Sequence, residues 1–158
     1  VSMDSPPRHI RTRIRDAAAA ALVAGVPGVA GRVFPGRSGT LYERELPCLL
    51  VHTPHDVVET LAYGKGTTVE QRRTDLRVFV AVAEVEDADA WRLADDIGAD
   101  VEMLLGAPKA LAAAGVKSTT LHGCIGHQDD ESEVPVLLLE MRFSTLSIAA
   151  AGRPGEAR

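Results

Sequence analysis

Two short segments of the chain carry side chains of the types that bind zinc. Zinc is held by imidazole and thiolate groups that converge tetrahedrally. The candidate ligands are His52, His55 and Asp56 in the first segment, and His122, Cys124, His127 and Asp129 in the second. Neither segment has the spacing of a compact zinc site, so the two segments would have to meet in space. A small metal-dependent hydrolase that uses His52, His55 and Cys124 is therefore one alternative. The simpler interpretation is that the histidines are solvated loop side chains, with no metal or cofactor.

The other arrangements that could support catalysis are incomplete. Cys48 lies in an apolar stretch, where a thiol behaves as a small hydrophobe, and neither it nor Cys124 has basic neighbours that would activate a thiolate. Gly64-Lys65-Gly66 is too short for a phosphate-binding loop and precedes a strand rather than a helix. The acidic residues 129–133 lack the ligand spacing of a calcium loop. The sequence therefore predicts that the chain is not an enzyme.

The composition is that of one globular domain. The 158 residues are 46% apolar and 25% charged, enough for one substantial core. The net charge of −5 argues against general nucleic-acid binding, which requires clustered positive charge. No apolar run is long enough to cross a bilayer, and two cysteines do not make a disulfide framework. We expect a chain made in the cytoplasm, with neither a membrane nor a direct nucleic-acid partner.

Apolar residues recur at helical spacing in two places. The first stripe covers residues 10–22 and ends before Gly25, while residues 5–7 (SPP) are typical of a helix start. The second stripe covers residues 93–105 and ends before Pro108. We predict one helix in each place.

The remaining apolar segments have the character of strands. They are a brief piece at 32–34 and longer segments at 46–52, 57–62, 69–85, 119–125 and 136–146. Strict alternation places Leu76 and Val78 opposite Arg77, and it places Leu121 and Ile125 on one shared face. An acidic turn is expected at residues 127–133. Clustered strands with few helices predict an α+β fold, with a mixed, mainly antiparallel sheet of four to five strands and two main helices on one face. We expect a single domain over residues 1–148 and a disordered tail at 149–158.

Opposite charges are concentrated on different segments. Arg32, Arg37 and Arg44 fall in one loop, whereas Arg72, Arg73 and Arg77 follow one strand. Carboxylates are concentrated at residues 84–89 and 129–133. This segregation suits a subunit that meets copies of itself head-to-tail. A solvated surface with local salt bridges explains the same pattern.

Several short motifs, taken in order, resemble one known family. They are an opening amphipathic helix, Phe34-Pro35-Gly36-Arg37, Glu45-Leu46-Pro47 before an apolar strand, Asp89-Ala90-Trp91 at the second helix, and Asp129-Asp130-Glu131 before the last strand. In this order they resemble the tail terminator, or minor tail protein U, of lambda-like long-tailed phages. The resemblance covers roughly residues 8–147. The chain departs from the family in a longer loop at 38–43 and in its extended C-terminal tail.

The resemblance implies a non-catalytic subunit of the virion tail, located at its head-proximal end. Such a subunit is largely monomeric alone and forms a hexameric ring that caps the tail tube, stops its polymerisation and meets the head-completion protein. On this basis we hypothesise that subunit or tube contacts involve Arg32, Arg37, Arg44, Arg72, Arg73, Asp129, Asp130 and Glu131. A different head–tail connector or tail-completion ring protein, or a ligand-binding domain unrelated to phages, would fit the same fold.

Overall fold

The computed structural model describes residues 8–64, 67–85, 89–150 and 153. Two helices and a six-stranded sheet within these residues confirm the predicted α+β fold. The helices are α1 (Ile10–Gly25) and α2 (Ala90–Gly106). The strands are β1 (Val33–Pro35), β2 (Cys48–His52), β3 (Asp56–Gly64), β4 (Thr67–Ala83), β5 (Val116–Asp129) and β6 (Val136–Ala150). The sheet exceeds the expected four to five strands because the brief first segment also pairs, parallel to β2.

The sheet is built on two long central strands. β4 and β6 pair antiparallel without interruption from Val69↔Ala150 to Ala83↔Val136. On the other side of β4, β2 pairs with one part of the strand and β3 with the other, so the strand order is β1-β2-β4-β6-β5, with β3 beside β4. All pairings except β1–β2 are antiparallel. The expected mixed, mainly antiparallel sheet is therefore confirmed.

Both helices cover one face of this sheet. In α1 the buried Ile10, Ile14 and Leu22 share one stripe, as their spacing predicts. They pack in one core with alternate residues of β4 and β6. His9 caps α1 by accepting a hydrogen bond at Nδ1 from the Arg11 amide, and Asp89 caps α2 in the same way through the Arg92 amide. The predicted helix-start residues 5–7 lie outside the described residues.

The other face of the sheet is covered at one end alone. There, the loop between β1 and β2 and the turn between β5 and β6 enclose Leu41, Cys48, Ala81 and Val136. Neither α1 nor α2 packs on this face. We call its uncovered part, from the row of Arg77 and Arg142 to the row of Ile148, the open face.

Three details of the strands differ from the sequence prediction. β5 continues through His127 to Asp129, so the acidic turn is shorter than expected. A register shift between Leu121 and Gly123 places Leu121 opposite Phe143 and Ile125 opposite Glu140, so these two side chains lie on opposite faces. The prediction of a shared face was wrong because a β-bulge breaks the period of two. The third difference is that β6 extends to Ala150.

Candidate assembly surfaces

Arg37 holds the loop between β1 and β2 against the sheet. Its Nη1 and Nη2 donate to Oε1 and Oε2 of Glu45 at 2.7 and 2.9 Å, and Nη2 also donates to the carbonyl of Thr40 at 3.1 Å. The guanidinium lies 4.8 Å from the ring centroid of Phe34. The hydrogen bond from Arg37 is the main reason why the pKa of Glu45 is lowered, followed by that from the Tyr42 amide. A forked pair of this kind is stronger than a simple ion pair.

The other two arginines of the predicted cluster, Arg32 just before β1 and Arg44 in the loop, also have contacts within the chain. Arg32 donates through Nε to the carbonyl of Pro47 at 2.9 Å. Arg44 is exposed, with its guanidinium 5.5 Å from the centroid of the Tyr42 ring. Of the three, Arg44 presents the most exposed charge to solvent.

Arg72 and Arg73 are adjacent in β4 and point to opposite faces of the sheet. Arg72 lies on the helix side, where Nη1 is 2.9 Å from Oδ2 of Asp56 and Nη2 is 3.6 Å from Oε2 of Glu70, and its side chain is 13% exposed. Arg73 lies on the open face and is exposed. Within the described residues Arg73 has no ion-pair partner, so it is the charge in this pair that remains available.

The acidic turn is organised by its own side chains. Asp129 accepts hydrogen bonds from the Glu131 amide at 2.9 Å and from the Ser132 hydroxyl at 2.7 Å. This arrangement is an Asx turn, which a short polar side chain forms with the following backbone. Asp130 and Glu131 are exposed.

The structure brings the loop between β1 and β2, which we call the arginine loop, and the acidic turn side by side. The Leu41 amide donates to Ser132 Oγ, the Glu43 amide donates to Glu133 Oε2, and the Glu133 amide donates to the Leu41 carbonyl. These contacts join the two segments through backbone groups, without an ion pair between the predicted arginines and Asp130 or Glu131 among the described residues. Arg72 and Arg73 lie toward the other end of β4. The predicted residues therefore form two groups rather than one site.

A third cluster, centred on Glu140, is placed on the helix-free face by the sheet register. Glu140 Oε1 lies 3.0 Å from Arg142 Nε and 3.7 Å from Arg77 Nη1, while Oε2 lies 2.8 Å from His127 Nε2. The Glu140 side chain is 5% exposed, but those of Arg142 and His127 are 46% and 44% exposed. The hydrogen bond from Arg142 is the main cause of the lowered pKa of Glu140, and it outweighs burial, which raises the pKa.

Several of the candidate zinc ligands are engaged elsewhere. His52 packs edge-on against Phe79, with ring centroids 5.8 Å apart, Asp56 pairs with Arg72, and His127 with Glu140. Within the described part of the chain, no three His, Cys, Asp or Glu side chains are grouped so that they could hold a metal ion. Cys48 is buried, and burial is the first cause that raises its pKa, to about 11. A thiol with this pKa stays protonated at neutral pH and is a poor nucleophile.

The comparisons with known proteins give a distant likeness to solved structures. No protein-family model matches the chain, and the search of curated proteins gives no match. One similar solved chain belongs to a structure described as the virion of a native gene transfer agent particle. It is 17% identical, the match covers 87% of this chain and 92% of that chain, and the TM-score is 0.37. At this identity and TM-score the likeness assigns no role to the chain.

The exposed surface of α2 is a fourth charged feature. The segment from Asp89 to Gly106 contains five carboxylates and one arginine. Trp91 and Met103 are 50% and 74% exposed, and the Trp91 indole lies against Gly126 of β5. No helix among the described residues is long and apolar enough to span a bilayer.

Sequence reasoning missed both the Glu140 cluster and the α2 surface. Alternation alone places Glu140 and Arg142 on one face of β6, and Arg77 on one face of β4. It does not give the register that brings Arg77 opposite Arg142, which depends on pairing across the sheet. The acidic character of α2 was visible in the sequence, as carboxylates at positions that a helical stripe leaves exposed.

Proposed function

We propose that this chain is the tail terminator subunit of a long-tailed bacteriophage or prophage. In this role it forms a hexameric ring at the head-proximal end of the tail tube, stops further polymerisation of the tube and presents a joining surface to the head-completion protein. The specific role is supported by the ordered motifs that resemble the tail terminator family. The proposed mechanism is steric and electrostatic, without catalytic residues.

The open face of the sheet is the observation that carries an assembly role. It presents apolar side chains that remain accessible: Val57 is 48% exposed, beside the half-buried Leu146 and Ile148. A solvated face of an antiparallel sheet is normally polar. Contiguous exposed apolar groups rimmed by charges are typical of protein–protein contacts.

The described surfaces also explain how a ring could stop growth. A terminator must repeat the contacts that the next tube ring would make on one side of the ring, and lack them on the other side. The arginine loop and acidic turn lie at one end of β4 and the Arg72–Arg73 group toward the other, so the subunit can present different chemistry to the two sides. We propose that exposed Arg44, Arg73, Asp130 and Glu131 belong to these contacts. Arg32, Arg37, Arg72 and Asp129 would then shape the segments that carry them.

Tube capping tests this function directly. Purified chain is added to tubes assembled from the tail tube protein of the same genome, and tube ends are imaged by negative-stain electron microscopy. We expect a ring at one end of each tube and no further elongation at that end when free tube protein is added. Continued elongation at both ends would contradict the terminator role. Rings that form without binding tubes would favour a connector or tail-completion subunit instead.

A further inference from the structure

The outer surface of α2 carries an unpartnered acidic stripe. Asp96, Asp100 and Met103 follow one another at helical spacing, so they lie along one side of the helix. Met103 is 74% exposed. Neither Asp96 nor Asp100 has a hydrogen-bond or ion-pair partner among the described residues, and like charges one turn apart repel each other. Arg92 lies one turn before Asp96 on the same side of the helix and forms no ion pair with it. The stripe therefore combines two unpaired carboxylates with an accessible apolar side chain.

The open face of the sheet has the complementary character. Arg73 is exposed there without a partner among the described residues, directly opposite Val57 of β3 and Leu146 of β6. Farther along the same face, the guanidinium of Arg142 binds Glu140 on one side while the Arg142 side chain remains 46% exposed. Positive groups thus stand beside apolar side chains. Asp75, which lies 3.8 Å from Arg77, and the exposed Glu59 are on the same face, so the charge opposite to that of the α2 stripe is carried by Arg73 and Arg142.

We propose that the α2 stripe of one copy docks on the open face of a second copy. This inference rests on the proposed ring-forming function and names the surfaces that join neighbouring subunits. Asp96 and Asp100 would meet Arg73 and Arg142, and Met103 would pack against Val57 and Leu146. Charge complementarity of this kind fixes orientation and rejects the wrong pairing.

The placement of the two surfaces determines the type of assembly. α2 covers one face of the sheet, and the open face is the reverse side of the same sheet, so the two surfaces lie on opposite sides of one subunit. A contact between two different surfaces is heterologous and leaves one free copy of each surface in a dimer. Further copies can therefore add, and they close into a ring when the rotation between neighbours allows closure, with the tube as the template in the proposed function.

Reciprocal charge reversal tests the contact with its own internal control. The first variant carries Asp96→Arg and Asp100→Arg, and the second carries Arg73→Glu. When either variant is alone, like charges face each other in every contact between its copies, so we expect the association constant to fall about tenfold or more. In an equimolar mixture, the unchanged stripe of the second variant meets the unchanged open face of the first, and the reversed stripe of the first meets the reversed charge at position 73 of the second. Assembly should therefore recover, at least in part, as rings with alternating subunits.

The measurement is sedimentation velocity of the full chain at raised concentration, repeated with tail tubes present. Matched controls reverse charges away from both surfaces, Asp16→Arg on α1 for the acidic stripe and Lys117→Glu for Arg73, and these should assemble like the wild type. If the wild type assembles and both single-surface variants also assemble normally, the docking is wrong while the ring function stands. Failure of the mixture to recover assembly would likewise overturn it. If the wild type neither self-associates nor caps tubes, the function and the docking both fail.

Discussion

Glu140 lies beneath Arg77, Arg142 and His127, with 5% of its side chain exposed. A carboxylate in such a place is stabilised by its partners and, in turn, keeps two arginines close together on adjacent strands. Removing one member of a buried charge cluster costs more than the cluster contributes, because the remaining charges stay without compensation. Glu140 therefore preserves the shape of the face that we propose as an assembly surface.

We expect Glu140→Gln to lower the free energy of unfolding by about 1–3 kcal/mol at pH 7. The substitution keeps the size of the side chain but removes the charge that Arg77 and Arg142 share. Urea unfolding monitored by circular dichroism measures the change, with Glu131→Gln on the exposed turn as the control. Equal stability of Glu140→Gln and wild type would show that the cluster contributes nothing to the fold.

The same residue predicts the direction of pH dependence. Because the pKa of Glu140 is lowered in the folded chain, its contribution is present above the ordinary carboxyl pKa of about 4.3 and is lost as pH falls through the folded pKa. The pKa of Glu45 is also lowered, so it acts in the same direction. The free energy of unfolding should therefore fall less steeply between pH 7 and pH 3 for Glu140→Gln than for the wild type. Parallel curves would contradict this assignment.

At the scale of elements, β4 offers two neighbouring arginines with different roles. Arg72 is 13% exposed between Asp56 and Glu70, whereas Arg73 is exposed on the open face. We expect Arg72→Glu to destabilise the fold by about 2–4 kcal/mol, because it buries a like charge between two carboxylates. Arg73→Glu should change stability by no more than about 0.5 kcal/mol.

Thermal unfolding of the two variants, together with their oligomeric state, separates these roles. Arg73→Glu should fold normally and fail to assemble, and Arg72→Glu should be unstable as a monomer. The opposite order of stabilities would mean that the two faces of β4 are assigned wrongly.

The elements predicted best from the sequence are those in which the spacing of apolar residues is uninterrupted. The α1 stripe and the alternation through Leu76, Arg77 and Val78 follow directly from local geometry. The bulge in β5 does not, because the extra residue at His122 shifts every later side chain to the other face. Gly123 directly after it was the available sign, since a glycine inside a strand often marks a bulge. The end of β6 was placed too early because alanine has low strand propensity, and its pairing with β4 decides the outcome.

The candidate site shows the same division between local and distant information. Segregation of arginines and carboxylates could be recognised in the sequence, and the turn at Asp129 forms from its own neighbours. By contrast, Arg37 pairs with Glu45 inside the loop rather than with a distant carboxylate. Which charges are satisfied within the chain and which remain for a partner depends on the folded distances, so Arg72 and Arg73 could not be distinguished beforehand.

At the scale of the whole molecule, one sheet separates two surfaces of different charge. The helix layer presents the acids of α2, and the reverse side presents Arg73 and Arg142 beside accessible apolar groups. Each exposed ion pair contributes little stabilising free energy, typically below about 1 kcal/mol. Several such contacts repeated around a ring, with the tube as a template, can hold an assembly that is weak in dilute solution.

The mass of the particle formed on the tube is the most direct test of ring assembly. Wild-type chain is titrated onto tail tubes, the caps are stabilised by light cross-linking and released, and their mass is measured by native mass spectrometry beside the free chain. The proposed function predicts monomer in dilute solution and a hexamer from the tube ends. A chain that remains monomeric in both samples, or forms a tight dimer in both, would contradict it.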